Sequence, residues 1–182
     1  MNLYKKNINK LSKSHSYFKS LEHDACGVGF VSSIKGKKSR KVVEYGIQAL
    51  KSVWHRGAID ADGKTGDGAG IHIEISNDFF KEKIENYGRK YDGGTICVGM
   101  IFLPRNDYSA QEKCKTLIEK ELLGKNYYIY RWRQVPIKTS ILGKKAENNR
   151  PEITQVIFKS NNKNLIGEEL ERDLFLVRKK IE

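Results

Sequence analysis

Asp24-Ala25-Cys26-Gly27-Val28-Gly29-Phe30 is the stretch on which the reading of this chain turns. From Cys26 to Ile34 the β-branched and aromatic residues, closed by Gly36, have the composition of a short strand that starts at the cysteine. Two readings of Cys26 stand side by side at this point. It is a small buried residue opening a strand, as free cysteines commonly are. Alternatively, cleavage after Ala25 would expose a thiol and an α-amine on one residue. That amine has an ordinary pKa of about 8 and can take the thiol proton, so nucleophile and base come together. Gly27 and Gly29 permit close approach by another backbone or a ligand, but the Cys-Gly-x-Gly pattern does not decide between the two.

Outward from this stretch the chain reads as mixed helix and strand. Val43, Ile47, Leu50 and Trp54 recur at helical spacing beside Val42, Gly46, Ala49 and Val53, which predicts an amphipathic helix over residues 39 to 54 with Ser39 as N-cap. His55 to Gly70 has no periodicity and holds Gly57, Gly63, Gly66, Gly68 and Gly70, so it is a loop. Ile71, Ile73 and Ile75 alternate with His72, Glu74 and Ser76, predicting a half-buried strand; Asp78 then caps a short helix ending near Gly88. Thr95 to Leu103 reads as a central strand stopped by Pro104. Ser109 and Glu112 form a capping box for a helix through Cys114, Leu117, Ile118 and Leu122 to Gly124. Tyr127 to Val135 and Ile153 to Phe158 are further strands. A last helix from Gly167 places Leu170, Leu174, Val177 and Ile181 on one stripe, still in phase where the sequence stops and without a stop signal, as in a helix that continues.

Composition narrows the class. At 182 residues and 38% hydrophobic content the chain fits one domain of about 100 to 200 residues. The formal charge of +12 comes from lysines spread along the chain and not from a clustered patch, which argues against a nucleic-acid surface. Three cysteines without a Cys-x-x-Cys pair argue against a disulfide framework or a zinc ribbon, and fit a reducing compartment. No run reaches the roughly 18 apolar residues that a membrane span needs. Residues 1 to 21 carry Lys5, Lys6, Lys10, Lys13 and Lys19 with no acidic residue, a composition that suits a propeptide and, less well because it lacks Arg, a transit peptide.

Three runs carry a resemblance: Asp-Ala-Cys-Gly-Val-Gly-Phe at 24 to 30, His55-Arg56-Gly57-Ala58, and Ala61-Asp62-Gly63-Lys64-Thr65-Gly66-Asp67-Gly68-Ala69-Gly70-Ile71. Together they are similar to the start of the class II glutamine amidotransferase domain of glutamate synthases. Trp132-Arg133-Gln134-Val135-Pro136, Leu142-Gly143, Pro151 to Gln155 and Leu176 to Glu182 extend the likeness, which covers about residues 20 to 182. The resemblance implies an α+β fold, the four-layer αββα sandwich of N-terminal nucleophile hydrolases, incomplete at its C-terminal side. Residues 1–25 are then a propeptide or leader and residues 26–182 the first part of the amidotransferase domain. Cys26 is implied as the nucleophile that attacks the side-chain amide of glutamine, releases ammonia and leaves a thioester for water. Arg56 and Gly27 are implied as pocket residues of lower rank.

For the whole enzyme of this family the resemblance implies FMN, an iron-sulfur cluster, further glutamate synthase domains and a small reductase subunit as partners, in the cytoplasm or in a plastid or other organelle stroma. It implies no cofactor or metal site in this chain. Asp62 and Asp67 read as loop carboxylates, not as a metal pair; Gly63-Lys64-Thr65 lacks the spacing of a phosphate-binding loop; His55 and His72 read as loop or strand residues; Cys97 and Cys114 read as core. The family's Gln-Arg-Phe-Ser-Thr-Asn and His-Asn-Gly-Glu-Ile segments, which hold the glutamine carboxylate and the oxyanion, have no counterpart in these 182 residues. The isolated chain is therefore expected to be inactive. The competing reading is a non-catalytic remnant, or a basic interaction module.

Overall fold

The computed structural model describes residues 6–7, 9–10, 13, 27–54, 57–66 and 68–182. They belong to two units, Met1–Ala58 with Asp67–Ile71, and Ile59–Gly66 with His72–Glu182. In the first unit, helix α1 spans Arg40–Ser52. Its apolar and charged positions segregate as expected, and Arg40 pairs with Glu44 one turn on. Ser39 occupies the N-cap position with extended backbone, but its side chain makes no capping bond, contrary to expectation.

The predicted strand from Cys26 to Ile34 is not formed over its described part. Residues 27 to 33 are irregular, a turn follows at Ile34 and Lys35, and Val28, Phe30 and Ile34 stand exposed. A strand exists only through a neighbour that takes up its N–H and C=O groups. No described residue pairs with this segment.

The second unit is built on a three-stranded antiparallel sheet of β1 (Cys97–Leu103), β2 (Tyr127–Gln134) and β3 (Glu152–Ser160) in the order β1-β3-β2. β3 is central because five consecutive residues, Thr154 to Phe158, are buried, which requires cover on both faces. Helices α3 (Tyr108–Gly124) and α5 (Gly167–Ile181) cover one face, where Ile118, Leu122, Leu170 and Val177 pack with Cys97, Tyr127, Val156 and Phe158. Helix α2 (Asn77–Glu85) covers the other, where Phe80 and Ile84 pack with Ile96, Tyr130 and Ile157. Ile129 and Trp132 both pack on the first face although strict alternation would oppose them; a bulge between Ile129 and Arg131 inserts the residue that makes this parity possible.

Two matching polar contacts tie down β2, one of the outer strands. Tyr127 Oη donates to Asp173, which Lys125 also holds at 2.9 Å; Tyr130 Oη donates to Asp92, which Lys159 holds at 2.5 Å. Each buried phenol thus has its hydroxyl satisfied at the rim of the core.

Boundaries and caps show where local reading fell short. Ile71 to Ser76 forms no ladder, and Ile71, Ile73 and Ile75 are exposed, so the predicted strand is absent here. Ser76, not Asp78, caps α2. Asp107, not Ser109, caps α3, accepting from the Ala110 N–H at 2.9 Å. Cys114 is exposed on α3 and not in the core. A short helix α4, Lys144–Asn149, preceded by a 3₁₀ turn at Thr139–Ile141, was not expected. No helix among the described residues is long and apolar enough to cross a membrane.

Candidate functional site

Cys26 and Arg56 lie outside the described residues, as do His55 and Asp67. Gly27 is described, exposed and irregular. His72 is exposed and sits on no strand. What the structure does define is the segment joining the His55-Arg56-Gly57 and Asp67-Gly68 motifs. Ile59 and Gly66 form an antiparallel bridge, and the Asp60 N–H donates to Thr65 O at 2.7 Å. The Gly63 N–H donates to Asp60 O at 2.9 Å, closing a turn in which Gly63 takes φ +66°, a value that suits glycine.

Asp62 organises the tip of this hairpin. Its Oδ1 accepts from the backbone N–H of Lys64 at 2.9 Å and of Thr65 at 2.6 Å, and its Oδ2 from Thr65 Oγ1 at 2.6 Å. The Thr65 hydroxyl, with these N–H groups and that of Lys145, holds the carboxyl down at about 2. A carboxylate so engaged shapes the turn. Gly63-Lys64-Thr65 lies at the tip of this hairpin. Asp60, two residues earlier, is held below the ordinary carboxylate range by Lys145 Nζ at 2.5 Å and by the Ala61 N–H.

The hairpin rests on the turn that opens α4. Gly143, the N-cap of α4, lies so close that a Cβ there would collide with Thr65 Oγ1 and Asp62 Oδ2 and stand 2.7 Å from Thr65 N. Sequence reading noted Leu142-Gly143 as a family feature but gave it no role, because its partners are distant in sequence.

The two described cysteines differ in chemistry. Cys97 is buried on β1, where desolvation, with Glu171 adding a smaller push, raises its thiol to about 12, so it carries no thiolate at neutral pH. Cys114 is exposed on α3.

Asp62 and Asp92 have a consequence for acid stability. Both are depressed to about 2 from 3.8, Asp92 first by Lys159 and then by Tyr130. A depressed carboxyl contributes stability that is complete above its unfolded value and lost as pH falls through the folded one. The urea midpoint is thus expected to hold down to about pH 4 and to fall between about pH 4 and 2; Asp92→Asn, lower at neutral pH, flattens that limb. An acid limb of wild-type steepness in Asp92→Asn shows that Asp92 does not contribute.

With this geometry in hand, comparison with known proteins is specific. Residues 26–182 match the family described as glutamine amidotransferases class-II. The chain is 50% identical over 179 residues to the glutamate synthase [NADPH] large chain of Azospirillum brasilense, covering 98% of this chain and 12% of that protein. It is 41% identical over 162 residues to the ferredoxin-dependent glutamate synthase of Pyropia yezoensis, covering 88% and 10%, and 35% identical over 158 residues to ferredoxin-dependent glutamate synthase 2 of a Synechocystis strain, covering 86% and 10%. The chain therefore spans about a tenth of the length of these relatives.

Proposed function

This chain belongs to the class II glutamine amidotransferases, and we propose from that membership that it supplies the front of the glutaminase domain of a glutamate synthase, hydrolysing glutamine through Cys26 to feed ammonia to glutamate formation. The observation that carries the reading is that the family match starts at Cys26 itself, the residue read from the sequence as the mature N-terminus. Residues 1–25 are then the propeptide whose removal frees the amine. The thiol attacks the carboxamide carbon of glutamine, its proton passing to the α-amine; collapse of the tetrahedral adduct expels ammonia, and water cleaves the γ-glutamyl thioester to glutamate, restoring the thiol. Arg56 and Gly27 shape the pocket beside the thiol. The α+β sheet and helices described above form part of the family's four-layer αββα sandwich.

The remaining glutamate synthase domains, with a small reductase subunit, are the partners of this domain, and the setting is cytoplasm or an organelle stroma. FMN and an iron-sulfur cluster belong to those domains. Cys97, enclosed in the core, and Cys114, exposed on α3, do not make a cluster ligand set between them.

Residues 1–182 lack the carboxylate-binding and oxyanion segments of the family, so this polypeptide expressed alone is expected to show no glutamine turnover above a Cys26→Ala control. The deciding experiment is the intact mass and N-terminal residue of the native protein purified from its source, with a glutaminase assay on the same sample. A species that begins at Cys26 and releases ammonia from glutamine is the expected result. Met1 retained, with no glutaminase activity, overturns the reading.

A further inference from the structure

At the C-terminal end of β1 the second unit carries an open groove of about 510 Å³, lined by Phe102 and Leu103 of β1, by Arg105 and Asn106 just beyond it, and by Asn148 and Arg150 at the end of α4. Its charge is arranged around one carboxylate. Glu147 Oε1 accepts from Arg105 Nη1 at 2.8 Å, and both Glu147 oxygens accept from Arg150 Nε, at 3.1 and 3.0 Å. Arg105 Nη1 also donates to Glu147 O at 2.8 Å. Arg150 foremost, with Arg105, holds Glu147 below the ordinary carboxylate range, so it is ionised at neutral pH and the three side chains sum to one positive charge. One guanidinium would have neutralised it. The pairing also leaves donors over: Arg105 Nε and Nη2, and both Nη atoms of Arg150, have no hydrogen-bond partner among the described residues.

These donors are fixed in place. The side chains of Arg105 and Arg150 are only 28% and 23% exposed, and buried Gln111 pins the loop that carries Arg105 by donating to Pro104 O at 2.8 Å and to Arg105 O at 3.2 Å. No carboxylate lines the groove itself. Glu152, opposite Leu103 in the ladder, accepts instead from Gln134 of β2. We propose that this groove binds the phosphate group of a small molecule, with Arg105 and Arg150 donating to its oxygens and the Asn148 carboxamide at the rim. A phosphate offers several acceptor oxygens at once, which is what two guanidinium forks with donors to spare can satisfy. Phe102, 63% exposed, gives the body of a phosphate ester an apolar wall. The site stands apart from the amidotransferase reading, since none of its residues is invoked there.

The test uses the full-length enzyme that carries this chain, in phosphate-free buffer, with inorganic phosphate and phenyl phosphate as probes. Hydrogen exchange followed by mass spectrometry is expected to slow over residues 102–106 and 147–151 as probe is added, and the titration of that slowing gives the affinity. Arg150→Gln leaves Arg105 on Glu147 and should weaken binding at least about tenfold, through the loss of charge-assisted donors. Asn148→Asp changes an exposed side chain that makes no hydrogen bond among the described residues; it sets a negative charge at the rim and should weaken binding roughly fivefold. If Arg150→Gln loosens α4, seen as faster exchange there without probe, Asn148→Asp decides. Tighter binding of phenyl phosphate than of inorganic phosphate, with the advantage lost in Phe102→Ala, identifies an ester as the ligand; equal binding identifies free phosphate. No slowing over either segment with either probe overturns the proposal. So does slowing that keeps wild-type affinity in both charge variants, because the anion would then be held elsewhere.

Discussion

Cys26→Ala in the full-length enzyme is expected to reduce glutamine hydrolysis by at least about 10³-fold, because on the proposed mechanism it removes the atom that forms the covalent bond. No described cysteine can stand in for it. Cys97 is enclosed by the sheet and α3 with its thiol pushed up to about 12, and Cys114 lies exposed on α3. Glutamate formation from added ammonia, which bypasses the amidotransferase step, should persist in the variant, and its thermal unfolding should match wild type. Cys26→Ser tests the same point more finely. It keeps a hydroxyl on the same residue as the amine, yet an alcohol is almost un-ionised at neutral pH where a thiol is a few per cent thiolate, so most of the rate should still be lost. Blocking cleavage after Ala25 should have a similar effect with the thiol intact, since the nitrogen of Cys26 then remains an amide and cannot accept a proton. Retention of near wild-type glutaminase in Cys26→Ala would place the nucleophile elsewhere.

The elements that were legible in the sequence are those whose partners lie among the described residues. Thr95 to Leu103, Tyr127 to Val135 and Ile153 to Phe158 appear as β1, β2 and β3 with boundaries shifted by one or two residues, although β1, expected to be central, is an edge strand of the described sheet and β3 takes the centre; the stripe Leu170, Leu174, Val177 and Ile181 is the buried or half-buried face of α5. Ile71, Ile73 and Ile75 show the same alternation and form no strand. Alternation states which side would be buried if a ladder formed, and a ladder needs a second chain segment. The caps failed for a local reason: Asp107 and Ser76 precede residues that also looked like caps, and the backbone N–H three positions on decided which side chain was used. Cys114 was expected in the core as part of the helix that carries Ile118 and Leu122; those two are buried together with Gln111, while Cys114 lies off that face and is exposed.

The site divides in the same way. Cys26 and Arg56 were legible as motif residues, and they lie outside the described structure. The hairpin between the motifs was legible as a turn from its glycines and Asp62. Its seat was not, because Gly143 meets Thr65 and Asp62 across a long sequence separation, and a glycine needed for close approach looks in sequence like any other glycine.

Ile157→Ala is expected to destabilise this chain by about 2 to 5 kcal/mol, most of the cost coming from a cavity that its surroundings cannot close. Ile157 is 0% exposed on the central strand, opposite Val98 of β1 and Arg131 of β2, so neither backbone neighbour can move in without breaking a ladder. Its side chain joins the only apolar cluster described on that face, with Ile84 and Phe80 of α2, Ile96 and Tyr130. Phe80 and Ile84 are the buried residues of α2, so the hold of that helix on the sheet depends on the same contact set. Against a typical domain stability of about 5 to 15 kcal/mol the loss is large. Ile157→Val, which removes one methylene, should cost about 0.5 to 1.5 kcal/mol. Met100→Ala is the control for position: it lies two residues from Val98 on edge strand β1 and is half exposed, so a cost below about 1 kcal/mol is expected there from the smaller area withdrawn from water. Urea unfolding followed by tyrosine and tryptophan fluorescence measures all three. An Ile157→Ala midpoint as close to wild type as that of Met100→Ala would mean that α2 and the sheet do not form the packed face described, and the second face would have to be redrawn.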